Sequence, residues 1–231
     1  MRDDDARDEQ IRYVSRGGLK LHHALREFAL DPTGLWCADL GCSTGGFTHC
    51  LLEHGAERVF AVDTGYGVLD YHLRTDDRVS VHERSNALHF APPAEVTERC
   101  GVDLVTIDMS WTVQERCLPA ATQWLRPGGH VISLVKPHYE ATGGPFREEL
   151  AQLVIDGVLE EQAGNVVLER TLADMPRVGF QVLSSTPSPI LGGQRKPKRR
   201  KRSDSRPGTG NLEYLVLLRA DDAGPAQDAT P

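Results

Sequence analysis

No apolar run in this 231-residue chain approaches the ~20 residues needed to cross a bilayer, and the N-terminus MRDDDARDEQ is acidic where a secretory leader is basic and then apolar. A soluble, cytoplasmic protein without membrane association is expected. The five cysteines (Cys37, Cys42, Cys50, Cys100, Cys117) form no CxxC pair and are odd in number, which argues against a disulfide scaffold and a zinc ribbon. His138 has no partner at metal-ligand spacing, so no metal is assigned. There is no internal repeat and no GxGxxG fingerprint. What remains, at 39% hydrophobic and 26% charged residues, fits one globular domain.

The net charge of -7 conceals an asymmetry. The segment from Arg195 to Arg206 holds Arg195, Lys196, Lys198, Arg199, Arg200, Lys201, Arg202 and Arg206 against Asp204 alone, and the rest of the chain is strongly acidic. One dense basic segment on an acidic body suits docking to a polyanion, because each phosphate contact by Lys or Arg releases condensed counterions. A solvated basic loop accounts equally well for the charge alone.

Residues 1–12 and 220–231 are polar and aperiodic and are expected to be disordered, with the domain spanning 13–219. Between them short apolar runs alternate with mixed segments. Leu35–Leu40, Arg58–Asp63, Val79–His82, Asp103–Asp108 and His130–Lys136 read as strands, and Gly18–Phe28, Gly46–His54, Val113–Trp124 and Arg147–Gln162 as helices. Arg126-Pro127-Gly128-Gly129 marks a helix-to-strand turn. Two last strands, Gly179–Ser184 and Leu212–Arg219, have only the basic stretch between them and should pair antiparallel. The pattern implies a Rossmann-like α/β fold, a mostly parallel seven-stranded sheet closed by an antiparallel C-terminal hairpin, whose ligands lie beyond the strand C-termini.

The segment Asp39-Leu-Gly41-Cys-Ser43-Thr44-Gly45-Gly46-Phe47-Thr48 runs from the end of the first strand into a helix, the place of a nucleotide-type cofactor loop. The carboxylate of Asp39 would repel a pyrophosphate and tolerate a cationic sulfonium, which favours S-adenosylmethionine over NAD. Asp63 closes the second strand, placed to accept hydrogen bonds from ribose hydroxyls, and Asn86 follows the third as an adenine-side contact. The candidate cofactor residues are Asp39, Gly41, Ser43, Gly45, Gly46, Phe47, Asp63, Asn86 and Asp108. A tight turn without a ligand is the alternative for the glycines taken alone. Asp108 and Lys136 end the fourth and fifth strands and should face the same crevice; Lys20 and Glu213 join them if the leading helix packs over it. Trp111, Phe47 and Tyr139 are assigned to packing ahead of base stacking.

The segments YVSRGGLKL, DLGCSTGGFT, AVDTGYG, RSNA, DMSW, LRPGGHVISLVKP, PSPI and GNLEYL, in this order, resemble the TlyA-type members of the FtsJ-like ribosomal RNA 2′-O-methyltransferases. The resemblance runs from about Tyr13 to Arg219. It implies a class I S-adenosylmethionine-dependent methyltransferase, with RNA, ribosomal RNA or ribosomal subunits, as its partner and with a catalytic tetrad of Lys20, Asp108, Lys136 and Glu213. A ribose 2′-OH is a poor nucleophile, so positioning and general-base help are both required. Lys136 is expected to take or relay the hydroxyl proton, since burial, the second cation Lys20 and the sulfonium all favour the neutral amine. Asp108 would orient it, and Lys20 with Glu213 would hold the ribose.

The family pattern carries an S4 RNA-binding domain before SRGGLKL, where this chain has about a dozen residues. RNA affinity is therefore expected from the basic segment, through Arg195, Lys196, Lys198, Arg199, Arg200, Lys201 and Arg202, contacting phosphates without reading sequence. Cys42 and the His138-Tyr139 pair also depart from the pattern. Some members of the family carry a haemolysin label, but no long apolar or strongly amphipathic basic helix here supports membrane lysis. Methylation of a small molecule or a protein, and RNA binding without catalysis, stay open as alternatives.

Overall fold

The computed structural model describes residues 12–155, 158–192 and 210–221. The segment 195–206, and most of both termini, lie outside the described residues.

The central sheet has seven strands. Five are parallel: β1 (Trp36–Leu40), β2 (Arg58–Val62), β3 (Val79–His82), β4 (Val102–Ile107) and β5 (Leu125–Val135). A small hairpin, β6 (Val154–Ile155) with β7 (Val158–Leu159), stands apart. The sheet is completed by β8 (Phe180–Pro187) and β9 (Tyr214–Ala220), in the order β3-β2-β1-β4-β5-β9-β8, with β9 antiparallel to both its neighbours. The expected antiparallel closure is thus present, with the last strand inserted between β5 and β8.

The inner strands are apolar on both faces because both are covered. Along β2, Phe60 and Val62 join one core cluster while Val59 and Ala61 join the other, the period-2 alternation of a strand between two layers. The principal helices are α1 (Gly17–Glu27), α2 (Gly46–Glu53), α3 (Tyr71–Arg74), α4 (Ala94–Glu98), α5 (Gln114–Thr122), α6 (Pro137–Gly143), α7 (Arg147–Leu150) and α8 (Glu161–Asp174).

Strand register decides what meets at the sheet's C-terminal edge. Leu40 pairs with Val62 on one side and Ile107 on the other, so Gly41, Asp63 and Asp108 emerge in one row. Val135 pairs with Tyr214 in the antiparallel ladder, and the next positions outward are Lys136 and Glu213. A residue late in the chain therefore reaches the site by running back along β5.

The expected long helix over Arg147–Gln162 is not there. Its first turn is α7, a 3-10 turn follows at Ala151–Leu153, and the chain then forms the β6–β7 hairpin with Ile155 opposite Val158. Leu150, Leu153, Val154, Val158 and Leu159 satisfy helical spacing, but Val154, Ile155 and Val158 are β-branched, and strand pairing prevails. The helix comes later, as α8. Arg126–Gly129 also differs: it is a bulge inside β5, since Leu125 pairs with Val102 and His130 already with Leu104.

Candidate active site

The loop from Gly41 to Phe47 is built by close backbone approaches. Gly41 has φ +90°, and a Cβ there would press on the Asp108 carbonyl from the neighbouring strand end. At Gly46 a Cβ would strike Ser15 Oγ and the Gly18 amide, so α2 begins against the start of α1. That contact is what lays α1, and with it Lys20, over the crevice.

The crevice consists of two joined cavities of about 290 and 380 Å³ that share Gly41, Ser43, Asp108 and Ser110. The smaller is lined by the Ser15–Gly17 turn, Lys20, Asp39 and, from the loop, Gly41 to Thr44 with Gly46 and Phe47; the larger by Asp63, Asn86, Met109 and Trp111 among others. Gly45 is the one expected cofactor residue that lines neither: its φ is +95° and a Cβ would fall on Leu69 and Leu73.

The two acidic residues differ in what they have left to offer. Asp39 is fully buried; Oδ2 accepts from the Thr48 amide at 2.9 Å and the Thr48 hydroxyl at 2.7 Å, and Oδ1 from the Thr106 hydroxyl at 3.2 Å. Burial raises its pKa to about 7 against the pull of these donors. It braces the loop from beneath. Asp63 is half-buried, and its oxygens accept from the Ser43 amide at 2.9 Å and the Gly65 amide at 2.7 Å, joining the first loop to the second. Asn86 is exposed on the cavity wall, with its side-chain oxygen accepting from Leu88 N at 3.1 Å.

Beneath the second loop, Glu83 accepts from the amides of Gly67, Val68 and Leu69 and from Arg74. The Gly67 amide above all, with Arg74 and the Leu69 amide, holds its carboxyl at about 2.

Lys20, Asp108, Lys136 and Glu213 come together as two ion pairs. Lys20 Nζ donates to Glu213 Oε2 at 2.5 Å, and Lys136 Nζ to Asp108 Oδ1 at 2.6 Å and to the Met109 carbonyl at 3.2 Å. Lys20, Lys136 and Glu213 are buried; Asp108 is partly open. Lys20 and Asp108 line the crevice, and each is bonded to a partner that does not. Lys136 departs from expectation. Burial does press its pKa down, but Asp108 and then Glu213 outweigh it and hold the ammonium above the usual lysine value.

The model of the FtsJ-like methyltransferase family matches residues 13–194. The chain belongs to the FtsJ-like methyltransferase family. Among its relatives, the Mycobacterium tuberculosis protein named 16S/23S rRNA (cytidine-2′-O)-methyltransferase TlyA is 44% identical over 92% of this chain and 70% of the relative. YqxC of Bacillus subtilis, named for rRNA methylation, is 38% identical over 90% of this chain and 66% of its own length. The chain therefore spans about two thirds of that relative. A solved structure from Streptococcus thermophilus that carries a hemolysin name superposes with a TM-score of 0.77 at 36% identity, over 94% of this chain and 72% of the other. An S-adenosylmethionine-dependent methyltransferase from Listeria monocytogenes shares the fold at 17% identity and a TM-score of 0.55.

Within this FtsJ-like site, Ser15, Arg16, Ser85, Ser110 and Thr112 also line the crevice and were not singled out by sequence reasoning. The signal for them was adjacency to the SRGGLKL, RSNA and DMSW segments. Trp111 is not a packing residue: it is 82% exposed, with φ +54°, on the wall of the larger cavity. Phe47 is buried as expected. No helix among the described residues is long and apolar enough to cross a membrane, and no described group of three or more His, Cys, Asp or Glu could hold a metal. The basic residues Arg195 to Arg202 lie outside the described residues.

Proposed function

We propose that this protein transfers a methyl group from S-adenosylmethionine to a ribose 2′-hydroxyl of ribosomal RNA. The observation that carries the reading is the pair of bonded Lys–carboxylate couples, Lys20–Glu213 and Lys136–Asp108, at the head of the crevice. Ribosomal RNA as substrate follows the names of the relatives.

The crevice fits the cofactor. The loop brings backbone close to a ligand at Gly41, α2 opens toward the smaller cavity, and the larger one has polar groups for a nucleoside at Asp63 and Asn86. Those residues, with Ser43 and Phe47, would hold it; Asp39 acts by supporting the loop. When bound, the sulfonium supplies an electrophilic methyl group.

The rest is the work of this chain. Lys20 and Ser110 bound the crevice near Asp108 and orient the ribose, with Glu213 fixing the Lys20 ammonium. Alignment of the hydroxyl for in-line attack provides much of the acceleration. Lys136 is charged in the resting site, so it must lose a proton before it can accept one. Asp108, 2.6 Å away and partly open to solvent, holds that ammonium and gives its proton a path to water. The amine then takes the proton of the 2′-hydroxyl as the oxygen attacks.

The test is transfer of labelled methyl groups to unmodified ribosomal RNA, followed by alkaline hydrolysis. A 2′-O-methyl group blocks cleavage at its own linkage. Label in alkali-resistant dinucleotides, absent with Lys136→Ala, is the expected result. Label in base-modified mononucleotides, or transfer undiminished in the variant, would overturn the reading.

A further inference from the structure

One buried carboxylate is used by none of these steps. Glu140 sits on α6, one turn beyond Lys136, and is only 4% exposed. Its Oε1 accepts from the backbone amide of Gln114 at 2.9 Å. Gln114 opens α5, whose N-cap residue Val113 provides no side-chain cap, so Glu140 caps that helix from another element. The Gln114 side-chain oxygen accepts in turn from Ser133 Oγ at 2.7 Å, three residues before Lys136 on β5.

These contacts frame the loop from Asp108 to Val113. At its start the loop is held by Lys136, through the Asp108 carboxylate and the Met109 carbonyl. At its end it is held by Glu140 and Ser133, through Gln114. All three anchors belong to one continuous stretch, the end of β5 and α6. The loop contributes Met109, Ser110, Trp111 and Thr112 to the crevice wall.

We propose that Glu140 is a positioning residue for the methyl-transfer site, holding the Asp108–Val113 loop in register with Lys136 by capping α5. The inference rests on the methyltransferase reading for its kinetic consequence but not for its structural one. Burial raises the Glu140 carboxyl to about 7, opposed by the Gln114 amide and reinforced by Glu115. Ionised or protonated, it keeps an oxygen for the Gln114 N–H, so glutamine is a fair replacement and alanine is not.

The experiment compares Glu140→Ala and Glu140→Gln with the wild type in methyl transfer to ribosomal RNA and in amide hydrogen exchange over 108–116. The expected result for alanine is a kcat lowered about tenfold or more, the KM for cofactor little changed, and faster exchange confined to that stretch; glutamine restores both. A displacement of about 1 Å at a reacting group suffices for such a loss. A folded Glu140→Ala protein with unaltered kcat and unaltered exchange overturns the proposal, as does a glutamine variant no better than alanine.

If alanine prevents folding, Gln114→Pro deletes the same hydrogen bond from the donor side, together with the bond from Ser133, and so frees the far end of the loop altogether. Proline is accommodated at the first helical position, and Val113 is already extended at φ -89°, ψ 159°. It should reproduce the loss in kcat and the faster exchange; wild-type values of both overturn the proposal. A wild type with no transfer to any RNA refutes the methyltransferase reading instead, and the exchange comparison still decides the role of Glu140.

Discussion

Lys20 and Glu213 stand 193 residues apart in the chain and meet at 2.5 Å, both buried, where α1 crosses the end of β9. Each is the other's charge partner in a place that solvates neither. Removing one leaves a buried charge uncompensated, which costs about 3–5 kcal/mol, whereas replacing both with apolar residues of similar volume is near neutral. Lys20→Met or Glu213→Leu alone should lower stability in urea denaturation by about that much, and the double variant should recover most of it. Activity should not return with stability, because the ammonium at the crevice is gone. Recovery of methyl transfer in the double variant would show that the pair serves only the fold.

Trp111 presents a large ring to solvent beside Asp108. A side chain 82% exposed contributes little to the core, so Trp111→Ala should leave the melting temperature within about a degree. Stacking of a nucleobase on an aromatic ring contributes about 1–3 kcal/mol, and the variant should raise the KM for RNA by roughly tenfold or more with cofactor affinity unchanged. Equal RNA kinetics in the two proteins would remove Trp111 from the substrate path.

Much of the site is visible in the sequence because its residues occupy strand ends, where a charged or polar side chain has few structural reasons to be. Asp63, Asp108 and Lys136 all follow apolar strands, Asp39 is the next-to-last residue of β1, and the parallel register brings these ends together. Glu213 is different: its place depends on antiparallel pairing that sets Val135 against Tyr214, which no local pattern encodes. Glu140 is hidden for the same reason. In sequence it resembles any helical glutamate, and its burial follows from what α5 and α8 pack around it. The charge state of Lys136 is not legible in the sequence because it hangs on distances to two carboxylates, and those are set by tertiary structure. The β6–β7 hairpin is masked in the sequence because its apolar residues satisfy a helical period as well as a strand period.

The segment Arg195–Arg206 makes a prediction from charge alone. Replacing Arg195, Lys196, Lys198, Arg199, Arg200, Lys201 and Arg202 with serine and glycine should weaken RNA binding and flatten its dependence on salt, because fewer counterions are released on binding. Cofactor affinity should be unchanged. Filter binding at several salt concentrations gives the slope directly, and a slope identical to that of the wild type would exclude this segment from phosphate contact.

Asp39 offers the sharpest test of whether its charge matters. Its carboxyl is raised from 3.8 to about 7 by burial, so the native state holds a proton that the unfolded chain has released. The contribution to stability is therefore fully present below about pH 4 and is lost as pH rises through 7, by a few kcal/mol in all. Asp39→Asn keeps the same contacts: the amide oxygen can accept from the Thr48 amide and hydroxyl, and the amide nitrogen can donate to the Thr106 hydroxyl. The variant should match the wild type near pH 4, exceed it at pH 8, and bind cofactor with similar affinity at both. Urea denaturation and calorimetric titration across that range provide both quantities. A variant that is no more stable at pH 8, and that has lost cofactor there, would mean that the ionised carboxylate faces the sulfonium after all.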